Sequence, residues 1–281
     1  MSERLPGMTR GAAAALAAAI VAVAVAWPAA QADDYRAPRL PGTDSPDLNG
    51  IWQALGTAHW DIEDHVAQPP AVLEMGALAA VPAGHGVVDG AIPYQPWAAA
   101  RKLENFEQRM VVDPWNREIG DPEVKCYLPG VPRATYLPYP FQIVQGTDEI
   151  TIAYEFSSAT RIIHLADHEE PAIDSWMGWS NGRWDGDTLV VDVTGFNGLT
   201  WFDRAGNFHS DALHVVERYT PRTPYHLDYE VTLEDPNVFE RPWTMRMPLY
   251  RRMDAKAQVM DFRCLEFVEP LLLGSLSNPA P

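Results

Sequence analysis

Phe141-Gln-Ile-Val-Gln145-Gly-Thr-Asp-Glu149-Ile-Thr-Ile-Ala-Tyr154-Glu-Phe156-Ser-Ser-Ala-Thr160-Arg-Ile-Ile-His-Leu165 is three strand-length runs cut by two turn-forming triplets. Phe141–Gln145, Glu149–Phe156 and Thr160–Leu165 are the runs; Gly146-Thr147-Asp148 and Ser157-Ser158-Ala159 are the turns. In the middle run Ile150, Ile152, Tyr154 and Phe156 share one face, opposite Thr151, Ala153 and Glu155. Side chains on a strand alternate between faces, so this is a half-buried antiparallel strand with Tyr154 pointing inward.

The same texture continues downstream. Asp185-Gly186 is a hairpin turn ahead of the β-branched run Thr188–Thr194, and Leu213–Thr220 is a further strand. Tyr225–Leu233 alternates, with Tyr225, Leu227, Tyr229, Val231 and Leu233 inward and His226 outward. Met245–Arg251 and Ala257–Val268 finish the sheet. Upstream, Asp33–Asp47 is an extended lead-in and Asp47–Trp52 enters the first strand, whereas His59–Asp121 is broken by Pro and Gly. Within it a helix is expected from Pro96 to Met110, on the spacing of Trp97, Ala100, Leu103 or Glu104, and Glu107. His59, His65 and His85 in this segment are expected to be solvated. Short strands with hairpin-length turns after a loop-rich segment predict a mainly β fold. It is a single antiparallel barrel (residues 126–270) with a loop-rich, partly helical N-terminal cap (33–125) and a loose tail (271–281).

The N-terminus predicts the compartment. Arg4 and Arg10 precede an apolar run from Gly11 to Trp27, and Ala30-Gln31-Ala32 closes it, so a signal peptide cleaved after Ala32 is expected. The mature protein is then periplasmic or secreted, with no stable membrane insertion. Losing Arg4, Arg10 and Glu3 leaves it one unit more negative than the whole chain's −17. Such a charge repels nucleic acid and anionic lipid, so a small molecule is the expected partner. An even pair of cysteines in an exported protein, Cys126 and Cys264, is expected to form a disulfide.

Thr200–Thr220 holds the densest group of chemically able side chains: His209, His214, Asp203, Asp211, Glu217, Arg204 and Arg218. On its strand Leu213, Val215, Glu217 and Tyr219 share one face, and His214, Val216 and Arg218 the other. Neither face is wholly apolar, so a charged group faces a polar interior whichever way the strand sits. Three readings follow. General acid/base catalysis of a lyase, isomerase or hydrolase type assigns His209 oriented by Asp203 or Asp211, with His214 or Tyr154 returning the proton. A non-catalytic binding barrel makes the same groups a polar clamp. Metal binding uses His209, His214 and Asp203 or Asp211, a spacing that matches no recognised ligand motif. In the first, Trp176, Trp179 and Trp184 of a Trp-rich loop, with Trp201 and Arg218, hold an apolar or aromatic substrate. No phosphate loop, Cys-x-x-Cys, Gly-x-Ser-x-Gly or His-Glu-x-x-His is present, so no cofactor and no metal is assigned.

Asn49-Gly50-Ile51-Trp52 resembles the Gly-x-Trp pattern on the first strand of lipocalins and related calycin barrels. The resemblance implies that Trp52 plugs the closed end beneath an Arg from a late strand, for which Arg263 is the candidate. Longer stretches, Asp47–Trp52, Leu128–Arg133, Gly182–Asp192 and Arg204–Tyr219, together resemble a group of exported bacterial proteins of unsettled function. This covers nearly the whole mature chain. It implies a bacterial periplasmic or secreted setting and carries over no catalytic residue.

Overall fold

In the computed structural model, which describes residues 35–70, 80–111, 116–166 and 168–262, nine strands close into one barrel in sequence order. They are β1 (Gly50–Ala54), β2 (Phe141–Gln145), β3 (Glu149–Tyr154), β4 (Thr160–His164), β5 (Trp179–Asp185), β6 (Thr188–Thr194), β7 (His214–Thr223), β8 (His226–Glu234) and β9 (Trp243–Arg251). β1 pairs with β2 on one side and β9 on the other, which closes the cylinder. The expected leader, its cleavage site at Ala32, the tail 271–281 and Cys264 lie outside the described residues.

One seam departs from the antiparallel expectation. β4 and β5 pair parallel, and only over Ile163–Ser180 and His164–Asn181. The cause is the length of the connection: β4 ends at His164 and β5 begins only at Trp179, and a parallel pair needs a crossover of about that length. The Trp-rich segment expected as a loop therefore divides. Trp176 precedes the strand, while Trp179 and Trp184 lie on β5.

Inward positions follow the alternation. Ile150, Ile152 and Tyr154 of β3, Val215, Glu217 and Tyr219 of β7, and Leu227, Tyr229, Val231 and Leu233 of β8 are all buried. Tyr225 is a correction: it sits in the β7–β8 turn and is exposed, because pairing resumes only at His226. Phe156 leaves β3 for a 3₁₀ turn, yet stays buried. Of the expected last strand, residues 257–262 carry no strand, and the remainder lies outside the described residues.

Trp52 is buried, its Nε1 donates to the Leu48 carbonyl at 3.0 Å, and a guanidinium lies 4.3 Å above its ring. That guanidinium belongs to Arg251, at the end of β9; Arg263 is not among the described residues. Arg251 also donates to the carbonyls of Asn49 at 2.6 Å and Pro224 at 2.9 Å. Gly50 has φ +146°, and a Cβ there would sit 2.3 Å from Arg251 Nη1, so glycine lets the arginine close over the indole.

Among the described residues two α-helices lie outside the strand order. α1 (Pro96–Gln108) begins with Pro96 in its first turn, as expected. The face is the opposite of the one its spacing suggested. Ala98 and Asn105 are buried, while Trp97, Ala100, Leu103, Glu104 and Glu107 point to solvent. Close backbone approach decides it: a Cβ at Gly206 would sit 2.7 Å from the Lys102 carbonyl, and Asn105 Nδ2 donates to the Gly206 carbonyl. α2 (Arg133–Tyr136) is one buried turn packed on β1. Its Thr135 and Tyr136 reach the chemistry described next.

Candidate functional site

The polar interior required by β7 is present, and Glu217 occupies it. Glu217 is buried, and the inward alternation of β4 aims Arg161 at it from across the barrel. Arg161 Nη2 donates to Glu217 Oε2 in a short ion pair, and Arg161 Nε donates to Ser180 Oγ on β5 at 2.8 Å. The Tyr219 and Tyr229 hydroxyls both donate to Glu217 Oε1, at 2.9 and 2.5 Å. Burial, and then the Glu217 charge, push both phenols well above their ordinary range, so they stay protonated donors. Tyr154 stands beside this group, its hydroxyl 3.4 Å from Thr135 Oγ1, and burial raises it too. The Arg161 guanidinium lies close enough to Tyr154 to act on its hydroxyl by charge and by a side-chain hydrogen bond.

Arg161 also forms part of the wall of a cavity of about 980 Å³ where β4 and β5 separate. The short parallel seam leaves Thr160 and Arg161 without a ladder partner on β5, and His168 with the stretch from Glu170 to Gly178 rims the opening. Trp176, Met177, Trp179 and Leu128 give the cavity its apolar wall, and Glu170 and Asp174 an acidic edge. Trp179 carries a stack: His164 lies 4.4 Å from it and His168 lies 4.1 Å from His164, all nearly parallel. Burial and the neighbouring His168 lower His164. Trp179 Nε1 is buried without a partner, and Trp176 packs on Tyr127 at 5.1 Å.

A second polar group lies at the cap. Arg133 takes Asp121 in a two-pronged pair at 2.7 and 2.9 Å and also reaches Glu123 at 2.5 Å. Arg204 grips the same Glu123 at 2.8 and 2.6 Å and covers the Trp60 ring at 4.1 Å. Burial alone would raise Glu123, but Arg204 and Arg133 overcome it and bring it down to about 2. His59, expected in solvent, is buried beside this group. Burial and then Arg204 hold it at about 3, so it is neutral.

The other sequence candidates divide by role. Asp203 is buried and accepts from the backbone N–H groups of Ile62, Ala205 and Asn207 and from Asn207 Nδ2, which builds the turn after Trp201. Burial and the Asp61 carboxylate push it up to about 7 against those four donors. His209 Nδ1 faces the Ser210 carbonyl at 2.8 Å, Nε2 faces Thr200 Oγ1 at 2.6 Å, and its ring lies between Phe196 and Phe202. Burial lowers it, so it is a neutral packing residue with both nitrogens in use. His214 and Arg218 point outward and pair with Asp192 at 3.1 Å and Asp185 at 2.9 Å. Trp201 is buried and bridges to Phe208, and Trp184 packs half-buried on β5.

Only Glu217 and Tyr154 of the proposed catalytic set share a site, and only Trp176 and Trp179 of the proposed aromatic set line the cavity. Among the described residues no three His, Cys, Asp or Glu side chains are grouped to hold a metal ion. No family model matches the chain, and no curated protein matches it.

Arg161, Ser180, Tyr229, His164 and His168 were not singled out from the sequence. A signal for Arg161 existed. It occupies an apolar position of Thr160–Leu165 just as Glu217 does in Leu213–Thr220, and two opposite charges on inward positions of separate strands imply a buried pair.

Proposed function

We propose that this is an exported binding protein for a small apolar or aromatic molecule, which it holds in the cavity at the β4–β5 seam. One observation carries the reading: Trp176, Met177 and Trp179 wall a cavity of about 980 Å³ at the short β4–β5 seam, with His164 and His168 stacked on Trp179 as its polar side. Binding fits better than acid/base turnover. The three phenols are held protonated, His209 has both nitrogens engaged, and Asp203 spends its oxygens on four N–H donors. None of them is left to take a proton from a substrate. An exported setting, a leader removed after Ala32, a Cys126–Cys264 bridge and kinship with calycin barrels belong to the same proposal. They are supported by the N-terminal pattern, the even cysteine pair, and the Arg251-capped Trp52.

The test is titration of the mature chain with naphthalene-type ligands, read by calorimetry. Trp179→Ala and Trp176→Ala should weaken binding about tenfold each, on the scale of a lost aromatic contact. Trp184→Ala, outside the cavity, should leave it unchanged. Loss of binding in Trp184→Ala with none in Trp179→Ala would place the ligand elsewhere and end this reading.

A further inference from the structure

Two carboxylates converge at the edge of the seam cavity. Glu170 is held there by Thr194 at the end of β6, whose Oγ1 donates to Glu170 Oε1 at 2.8 Å. Asp174 is brought to the same place by its neighbour Ser175, which donates its backbone N–H to the Gly195 carbonyl at 2.9 Å and bridges to Phe196. Gly195 itself lies beside both. A Cβ there would sit 3.7 Å from Asp174 Oδ1, 3.9 Å from Glu170 Oε1 and 3.9 Å from Trp179 Cβ, so one point faces both carboxylates and the root of the indole. Arg161 is the one Lys or Arg among the described lining residues, and it points into the barrel, where Glu217 neutralises it. His164, lowered by burial and by the neighbouring His168, offers a neutral ring. A ligand carboxylate would meet like charge at this edge, and a hydrocarbon would leave it unused. A dication matches poorly, because two carboxylates are too few for its ligand shell and no three acidic, His or Cys groups gather among the described residues. An organic cation satisfies both features, pairing with the carboxylates and laying its charge and body against tryptophan faces.

Building on the seam-cavity reading, we propose that the ligand is an amine: its ammonium group sits beside Gly195 against Glu170 and Asp174, and its apolar or aromatic body lies against Trp176 and Trp179. The two carboxylates are the selectivity element, favouring amines over neutral compounds of the same shape and turning acids away. Both are exposed, so the preference is partly screened and falls as salt rises.

Three probes of matched shape test this on the mature wild-type protein at pH 7: 2-(aminomethyl)naphthalene, 2-ethylnaphthalene and 2-naphthoate. The amine should bind about tenfold more tightly than the hydrocarbon, the scale of a few exposed ion-pair and cation–π contacts, and the acid should bind most weakly. Raising NaCl to about 0.5 M should bring the amine close to the hydrocarbon. The Glu170→Gln, Asp174→Asn double variant should do the same at low salt and leave the hydrocarbon unchanged. Glu234→Gln, an exposed position on β8 outside the cavity lining, should keep the preference and so controls for the overall negative charge. Equal affinity for amine and hydrocarbon in wild type, a preference for the acid, or an amine preference that survives the double variant overturns the cation assignment and leaves the cavity reading standing. A loss in Glu234→Gln as large as in the double variant overturns it in the same way. Binding of none of the three removes the cavity reading and this inference with it. If the double variant does not fold by circular dichroism, the wild-type ranking and its salt dependence decide.

Discussion

Replacing Arg161 with Met is expected to destabilise the protein by about 3–5 kcal/mol, the range for removing one partner of a buried ion pair. The magnitude follows from what remains. Glu217, buried at the barrel centre, would keep two phenol O–H donors and lose its only cation. Ser180 Oγ would lose the Arg161 Nε donor as well. Against a total stability of about 5–15 kcal/mol, such a loss is large enough to measure without abolishing folding in most cases. Glu217→Met is expected to cost a similar amount, since it strands the guanidinium and the Tyr219 and Tyr229 hydroxyls. The double variant is the informative one. It removes both charges and regains the desolvation they required, while the two hydroxyls stay unmatched at about 1–3 kcal/mol each. It should therefore be no worse than either single variant, which makes the coupling about 3 kcal/mol or more. Urea unfolding at pH 7, followed by tryptophan fluorescence, measures all four corners. A coupling below about 1 kcal/mol would falsify the view that Arg161 and Glu217 act as one buried unit.

Arg251→Ala should lower stability by about 2 kcal/mol, from the lost stacking on Trp52 and the two carbonyl bonds to Asn49 and Pro224; a change in urea midpoint no larger than that of a surface alanine substitution would count against it. His59→Gln should change how stability depends on pH. His59, held at about 3, makes wild type lose stability as pH falls from 6.5, whereas Asp203, held at about 7, makes it gain stability as pH falls from 7 toward 3.8. The two oppose each other in wild type, so the variant should gain up to about 1.4 kcal/mol per unit of acidification between pH 6.5 and 4.5; parallel unfolding-midpoint profiles for variant and wild type would reject the assignment. The mature protein should begin at Asp33 by N-terminal sequencing, and its intact mass should rise by two hydrogens on reduction; an unchanged mass would remove the Cys126–Cys264 bridge.

How far the sequence carried the fold depended on how local the information was. Strand period, hairpin turns and the Pro96 start of α1 are set within a few residues, and β6 and β9 stand where their runs placed them. The parallel seam was not legible, because register between β4 and β5 is decided across the connection from His164 to Trp179, and no local pattern encodes that. α1 failed for a related reason. Its apolar spacing pointed to Trp97 and Leu103, but the buried face is chosen by a backbone contact with Gly206, a residue far along the chain. In the site, Glu217 was legible as a charge on an inward face. His209 and Asp203 looked catalytic because composition shows which groups are near in sequence. It does not show that Thr200, Ser210, Asn207 and Ile62 would saturate them.

The seam explains why chemistry gathers at one place on an otherwise continuous wall. A closed barrel removes sheet edges, and here eight of the nine junctions are antiparallel ladders that leave little room between strands. The ninth holds over two residue pairs only, and the outward face of β4 at Thr160, Ile162 and His164 borders the cavity there. A charge placed inward on β4 would be costly in an apolar barrel, and β7 answers it with Glu217. That answer fixes the guanidinium on two of its nitrogens, by Ser180 and by Glu217, inside the barrel. A methionine at position 161 and a leucine at 217 would fill the same space without buried charge, so the pair contributes little net stability over an apolar core and acts instead to hold Ser180, Tyr219 and Tyr229 in one arrangement.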